Sequence, residues 1–353
     1  MRILHAAPFA TPSPGGFIPL IEQLARSVRA RGDELAFVTL RIAEVPWHRA
    51  LRDAGATLHL VDDVRGAIAF ARRWRADVTH VHFYAWEPAF TVGMWTTRTT
   101  LFWHAHSTTL RAGRARRTLR DTIKYRAIGS RVERFVAVAD AIAAEIAALG
   151  APRERIVVVP NEIDALRFRP PSGAERKRAR AALNLDGPVI LFFGRDPYLK
   201  GADVLAAALP ELGPVTVLTV ATDEPTRAAL GEHAHVVAVE RVDDVVPLLW
   251  AADAIAIPSR GEGMSFVQRE ARFTGLPAAA SDLPALREGA AGATTAFFPV
   301  GDAAQLARAL RATLAVLRAV DAPPVADNGL ERWADRILAL YEPTRARLRT
   351  AVR

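Results

Sequence analysis

Short apolar runs rich in β-formers alternate with stretches of helical periodicity along almost the whole chain, and the alternation is interrupted only once. Residues 2–7, 34–40, 57–61, 77–83, 100–106, 134–139 and 155–160 read as strands. Between the first two, Phe17, Leu20, Ile21, Leu24 and Val28 recur at the spacing of one helical face, so 17–31 reads as a helix, with Gly32 placed to stop it. Asp140 reads as the N-cap of a helix over 141–149, closed by Gly150. Residues 166–186, rich in proline and charge, contain no strand pattern and read as a connection with a surface helix. A second series follows, with strands at 188–193, 216–221, 236–239, 254–258, 278–281 and 295–299. Helices read at 202–209, 242–251 and 265–274, and a helical tail at 303–317 and 328–353. Strands separated by helices imply parallel sheets. A chain of 353 residues holds about two such domains. The expected fold is therefore α/β, two doubly wound domains in tandem, with boundaries at 1–165, 166–186, 187–335 and 336–353.

The chemistry open to the chain is bounded by what it lacks. It contains no cysteine, which excludes disulfides, thiolate metal sites and a cysteine nucleophile. Neither a P-loop, G-x-G-x-x-G, H-E-x-x-H nor G-x-S-x-G occurs. There is also no D-x-D, the usual cue for a metal held between aspartates and a diphosphate, so no metal is expected. No apolar run approaches a membrane span and the start lacks a signal-peptide core, which fits a cytoplasmic protein. The net charge of +8 is uneven: residues 1–170 carry a net +9, and 111–134 alone hold nine basic and two acidic residues. That segment reads either as a solvated face or as a surface for an anionic partner such as a membrane.

Two motifs stand where parallel sheets bind ligands, at the carboxyl ends of strands. The first is Gly194-Arg195-Asp196-Pro197-Tyr198-Leu199-Lys200-Gly201. Arg195 stands at a strand end and Lys200 at the next helix start, an arrangement suited to a diphosphate. Lysine is rare here, three against 43 arginines, so Lys200 draws notice as a compact point charge. The second runs from Pro258 to Glu270. Its glycines, Gly261 and Gly263, permit close approach, and the amides of Met264, Ser265 and Phe266 lie at a helix start. Glu262 and Glu270 are two carboxylates, each able to take a pair of sugar hydroxyls.

These residues resemble the family-4 glycosyltransferases of GT-B fold. The resemblance includes Gly275-Leu276-Pro277, the Gly15-Gly16 loop, Asp77-Val78-Thr79-His80-Val81-His82, Val136-Ala137-Val138-Ala139-Asp140 and Val159-Pro160-Asn161-Glu162-Ile163-Asp164. Ala139 and Glu162 stand where the family has serine and glycine, and Met264-Ser265 where it has Phe-Gly. The resemblance implies two Rossmann-like domains facing across a cleft, the N-terminal one binding acceptor and the C-terminal one a nucleotide-diphosphate sugar, with C-terminal helices crossing back. It implies that Arg195 and Lys200 neutralise the donor diphosphate and that Gly16, beside Gly15, approaches it from the opposite domain. Glu270 would take the ribose hydroxyls, Glu262, Gly263 and the Met264–Phe266 amides the donor sugar, and the stretch holding Arg241 and Val242 the base. A histidine after the fifth strand would contact the sugar. His104 and His106 point the same way in an extended strand, and His106 is favoured as nearer the strand end. His104, Tyr84 and Trp86 are the acceptor-side residues, although the aromatics after the fourth strand also suit a core.

The reaction so implied is retaining transfer from a UDP-sugar to a hydroxyl acceptor, without cofactor or metal. A sugar-nucleotide epimerase or an inactive relative fits the same fold. A basic membrane-binding or nucleic-acid-binding module rests on 111–134 alone. Tyr125 is the lone aromatic among those charges, so nucleic acid is not an expected partner.

Overall fold

The computed structural model describes residues 1–108, 119–194, 196–220, 224–230, 235–239, 242, 244–290, 294–316 and 328–351. The chain forms two compact units: Met1–Ile163 together with Gly329–Arg353, and Asp164–Asn328.

The first unit is built on a seven-stranded sheet: β1 (Arg2–Ala7), β2 (Glu34–Leu40), β3 (Ala56–Val61), β4 (Val78–His82), β5 (Thr100–Ala105), β6 (Val132–Ala137) and β7 (Ile156–Val158). Its order is β3-β2-β1-β4-β5-β6-β7, and every pairing is parallel. The central strands β4 and β5, and β1 beyond Arg2, are buried on both faces and show no alternation of buried and exposed residues; the edge strands β3 and β7 are only partly buried. The second unit has six strands: β8 (Val189–Phe192), β9 (Thr216–Val220), β10 (His235–Val239), β11 (Ala254–Ile257), β12 (Ala278–Ser281) and β13 (Thr295–Phe298). Their order is β10-β9-β8-β11-β12-β13, again all parallel. In each sheet the strand order reverses beside the unit's first strand, and the crevice outside the carboxyl ends there is the general ligand site of open α/β sheets. The two-domain α/β fold of GT-B type expected from sequence is the observed one.

All thirteen expected strands form, displaced by no more than two residues at either end. The helices are less faithful. The apolar stripe of the first produces Phe17–Ala30, buried through Phe17, Leu20, Ile21, Leu24 and Val28. Asp140 is not the N-cap expected: Ala139 holds the extended cap position and Asp140 opens the first turn, where its charge suits the helix dipole. The helix expected over 242–251 begins at Val246.

Residues 166–186 are more than a connection. Ser172 caps a helix, Gly173–Ala182, and Glu175 closes the capping box. From that helix Arg176 and Arg180 reach Asp253 at 2.5 and 3.1 Å, and Asp253 also accepts from the Val189 amide at 2.8 Å. The stretch is thus bound to the start of β8 and lies in the second unit. The boundary expected at 336 falls inside one helix, Gly329–Ala351. Its Trp333, Ile337, Leu338 and Tyr341 are buried. Arg332 pairs with Glu162 at 3.0 Å, Arg345 with Asp33, and Thr344 donates to Thr100 at 3.0 Å. Glu162, the departure from the family's glycine, therefore anchors this helix within the first unit.

Candidate functional site

In the second unit the chain leaves β8 through a loop whose conformation is tightly specified. Asp196 takes a left-handed conformation (φ 68°), and its carboxylate accepts from the Leu199 amide at 3.0 Å, opening the short turn Pro197–Lys200. Lys200 therefore ends that turn rather than starting the next helix; Gly201 (φ 72°) intervenes before Ala202–Ala208. A Cβ at Gly201 would collide with the Pro258 carbonyl oxygen, so glycine alone lets this loop lie against the chain leaving β11. Arg260 fastens the two loops. Its amide donates to the Leu199 carbonyl at 2.8 Å, and its guanidinium donates to the Tyr198 carbonyl at 2.6 Å and forks onto Asp203 at 2.8 and 2.7 Å. The clamp brings Lys200 Nζ to 2.6 Å from Glu262 Oε1, and the Ser259 hydroxyl donates to the same oxygen at 2.7 Å. Lys200 stays 31% exposed, Glu262 9%. Sequence reasoning quoted Ser259 and Arg260 within their motif but gave neither a role; nothing short of the fold pairs Arg260 with Asp203.

Beyond this pair, Ser265 caps the helix Phe266–Phe273 by accepting from the Gln268 amide at 3.4 Å. Among the described residues the amides of Met264, Ser265 and Phe266 donate no hydrogen bond, the usual state of a helix's first N–H groups. Gly263 and Met264 are buried beside them. Glu270 is buried one turn from the helix end. Burial pushes its carboxyl up to about 7, with the Arg167 guanidinium pulling the other way. Val242 is half-buried. Arg195 and Arg241 lie outside the described residues.

In the first unit Gly15 (φ 52°) and Gly16 lead into the helix Phe17–Ala30. His106 lies just past β5, 9% exposed, with its ring against Phe17 and Phe83 at 5.2 and 4.6 Å. His104 stacks on it at 4.1 Å but is wholly buried. That corrects its assignment to the acceptor: it offers no surface to one. Trp86 is core, as is Phe90, and Tyr84 is half-buried with its hydroxyl donating to the Ser107 carbonyl at 2.5 Å.

The basic segment is also altered by the fold. Arg111, Arg114, Arg116 and Arg117 lie outside the described residues. Lys124 points inward: its Nζ is 2.6 Å from Glu87 and sits over the rings of Tyr84, Trp103 and Tyr125 at 4.6, 5.4 and 5.1 Å. Arg131 donates to the carbonyls of Thr97 and Thr99. Arg120 and Arg126 are exposed. No helix among the described residues is long and apolar enough to cross a membrane.

Metal-ligating side chains come together once among the described residues, at His80, His82 and His104, whose ligand nitrogens lie within 4.8 Å of one another. Both nitrogens of His82 are already hydrogen-bonded, to His106 and to His5. A metal there would have to displace one of those bonds.

Comparison with known proteins bears on the family and the fold. The family described as "Glycosyl transferase 4-like domain" matches residues 15–162, and "Glycosyl transferases group 1" matches residues 187–315. A D-inositol 3-phosphate glycosyltransferase of Jonesia denitrificans is 29% identical over 81% of this chain and 80% of its own. The enzyme of that name from Xylanimonas cellulosilytica is 35% identical over 44% of this chain and 43% of its own. The chain spans about half the length of most curated relatives it matches. Among solved structures, Anabaena HepE in complex with UDP-glucose aligns over 99% of this chain and 100% of that one, with a TM-score of 0.71 and 18% identity, a likeness of fold. With both halves matched to glycosyltransferase domains and the fold shared throughout, the chain belongs to the family-4 glycosyltransferases of GT-B fold.

Proposed function

We propose that the protein transfers a sugar from a nucleoside-diphosphate sugar, a UDP-sugar foremost, to a hydroxyl acceptor with retention and without a metal. The observation that carries this is the Lys200–Glu262–Ser259 constellation, built where β8 and β11 end in a chain of this family. The diphosphate takes Lys200 as countercharge, and Arg195 is the second cation that the family resemblance assigns to it. Glu262 then loses its cationic partner to the phosphate and turns its carboxylate to the donor sugar's hydroxyls. The helix-start amides of Met264–Phe266 supply further donors, and the Glu270 carboxylate takes the ribose. Cations fixed against the departing diphosphate stabilise charge that develops as the glycosidic bond breaks, which is the task a metal performs in D-x-D enzymes. His106, at the ligand edge of the first unit's sheet, is the histidine that the family resemblance assigns to the sugar. UDP as the base-bearing half is supported by the UDP-glucose complex of a protein with this fold.

The acceptor we propose is anionic. The net +9 of residues 1–170 supports this, as do the relatives named for D-inositol 3-phosphate. Attraction of the exposed Arg120 and Arg126 to an anionic membrane surface belongs to the same reading. The test is a thermal-shift and calorimetric screen against nucleotide sugars. A donor at a hundred times its Kd stabilises the native state by about 2.7 kcal/mol. UDP-sugars that stabilise and turn over only with acceptor support transfer. Isomerisation without acceptor would establish the epimerase instead.

A further inference from the structure

The first unit's sheet carries a run of hydrogen-bonded rings that the proposed transfer does not by itself require. β1, β4 and β5 are adjacent, and their register sets His5 opposite His80 and His82 opposite His104. The imidazoles consequently share one face of the sheet. His106 Nε2 lies 2.8 Å from His82 Nδ1, and His82 Nε2 lies 2.8 Å from His5 Nδ1. His5 Nε2 is 3.0 Å from the Tyr341 hydroxyl, which is 2.5 Å from His80 Nδ1. Four of these five side chains have no exposed surface; His106, at the strand end, is the one that reaches it.

Burial depresses all four imidazoles, His5 and His106 to about 3, with neighbouring rings adding to the effect for His5, His80 and His82. Each ring is therefore neutral at physiological pH and carries one N–H. In a series of neutral imidazoles, a nitrogen that accepts forces the proton onto the other nitrogen of the same ring. Three arrangements satisfy every link. In one, His5 and His80 both donate into the Tyr341 oxygen, which leaves its buried O–H with no acceptor; in the remaining two all bonds are donated toward His80, or all toward His106.

The far end decides between them. His80 Nε2 is buried and has no partner. Donation toward His80 would leave an N–H there without an acceptor. Donation toward His106 leaves a bare lone pair, and orphaned buried N–H groups are the rarer of the two in folded proteins. The order is then His80 Nδ1–H to the Tyr341 oxygen, Tyr341 O–H to His5 Nε2, His5 Nδ1–H to His82 Nε2, and His82 Nδ1–H to His106 Nε2. His106 is left with its proton on Nδ1, the nitrogen outside the chain.

We infer that Tyr341, His5 and His82 are positioning residues that hold His106 as the neutral Nδ1–H tautomer, so that His106 meets the transferred sugar or its acceptor as a hydrogen-bond donor and not as a base. This rests on the proposed role of His106 at the sugar. No net proton transfer is involved. The Tyr341 hydroxyl comes from the C-terminal helix, 336 residues from His5, which ties the ring at the active edge to the docking of that helix.

The experiment is nitrogen-15 NMR of histidine-labelled full-length protein, with the His106 signals identified by their loss in His106→Asn. The wild type is expected to show His106 protonated on Nδ1. Tyr341→Phe removes the hydroxyl that donates to His5 Nε2; the direction is then held only by the preference for a bare lone pair over an orphaned N–H, and an Nε2–H population of His106 absent from the wild type is expected to appear, with kcat falling up to about threefold and donor KM unchanged. His106→Asn, which keeps an N–H near the Nδ1 position, should retain several times the activity of His106→Ala. If Tyr341→Phe is unstable, His5→Gln breaks the next link and is read the same way. An Nε2–H wild type, or a tautomer indifferent to both variants, overturns the inference. So does a transition metal co-purifying on His80, His82 and His104, since it would break the chain at His82. Normal turnover in His106→Ala with the tautomer shift intact would overturn instead the catalytic role of His106 and leave the chain standing.

Discussion

Among the described residues each unit contains one lysine–glutamate pair at the same separation, and the two pairs have opposite fates. Lys124 and Glu87 meet at 2.6 Å in the first unit; Lys200 and Glu262 meet at 2.6 Å in the second. Lys124 is 15% exposed and its partner 2%, and three aromatic rings wall in the ammonium. Burial is severe enough to push the Glu87 carboxyl up to about 7 even with Lys124 beside it. Lys200 has twice that exposure, stands between loops clamped by Arg260, and faces a serine hydroxyl as well as its carboxylate. A pair closed on all sides ties helices to a sheet. A pair open on one side can exchange its carboxylate for a phosphate. Rarity of lysine in an arginine-rich chain drew notice to Lys200, yet it holds as much for Lys124; enclosure is what separates them.

The comparison can be broken by exchanging the two residues' effects. Lys200→Ala is expected to lower kcat/KM ten- to about a hundredfold, the worth of charge-assisted hydrogen bonds to a desolvated diphosphate, while the melting temperature hardly moves. Lys200→Arg should recover only part, since a planar fork does not replace a compact ammonium in this loop. Lys124→Ala should do the reverse. It leaves Glu87 buried without its cation, at a cost of about 3–5 kcal/mol in urea unfolding, with turnover within about twofold of wild type. A Lys124 variant that folds normally but fails to turn over would place that pair in the chemistry after all.

A smaller effect sharpens the donor side. Glu270 is raised to about 7 by burial, so it is mostly protonated at pH 6 and mostly ionised at pH 8. If the carboxylate is what receives the ribose hydroxyls, donor affinity rises roughly tenfold across that interval. Glu270→Gln should bind more weakly and without that slope. A wild-type affinity that falls with rising pH would remove Glu270 from the site. Smallest of all is the response to EDTA. Turnover should be unaltered if, as proposed, cations of the chain itself serve the diphosphate; full loss, restored by a divalent ion, would contradict the metal-free reading.

Strands such as β8 and β11 were legible because a fully buried parallel strand reads as an unbroken apolar run; in β3, β4 and β6 that run is interrupted by His59, by His80 and His82, and by Glu133 and Arg134. The motifs after β8 and β11 were legible because glycine and charge at strand ends have few other uses. What escaped was long-range and polar. Nothing local pairs Arg260 with Asp203 or Glu162 with Arg332. Nor could periodicity show that Tyr341 would close a series running through His5, His82 and His106. His104 and His106 alternate correctly, but which of them reaches the surface depends on where β5 ends. The charge of 111–134 overstates its surface cations for the same reason: composition counts Lys124 and Arg131 among them, whereas the fold turns these two onto Glu87 and onto the carbonyls of Thr97 and Thr99.

The central claim is that the open pair of the second unit is the diphosphate site. Titrating UDP-glucose into wild-type protein and into Lys200→Ala by calorimetry tests it without reference to the acceptor. One donor bound per chain, weakened more than tenfold by the substitution at unchanged folding stability, is the predicted result. Equal affinity in the two proteins would contradict it.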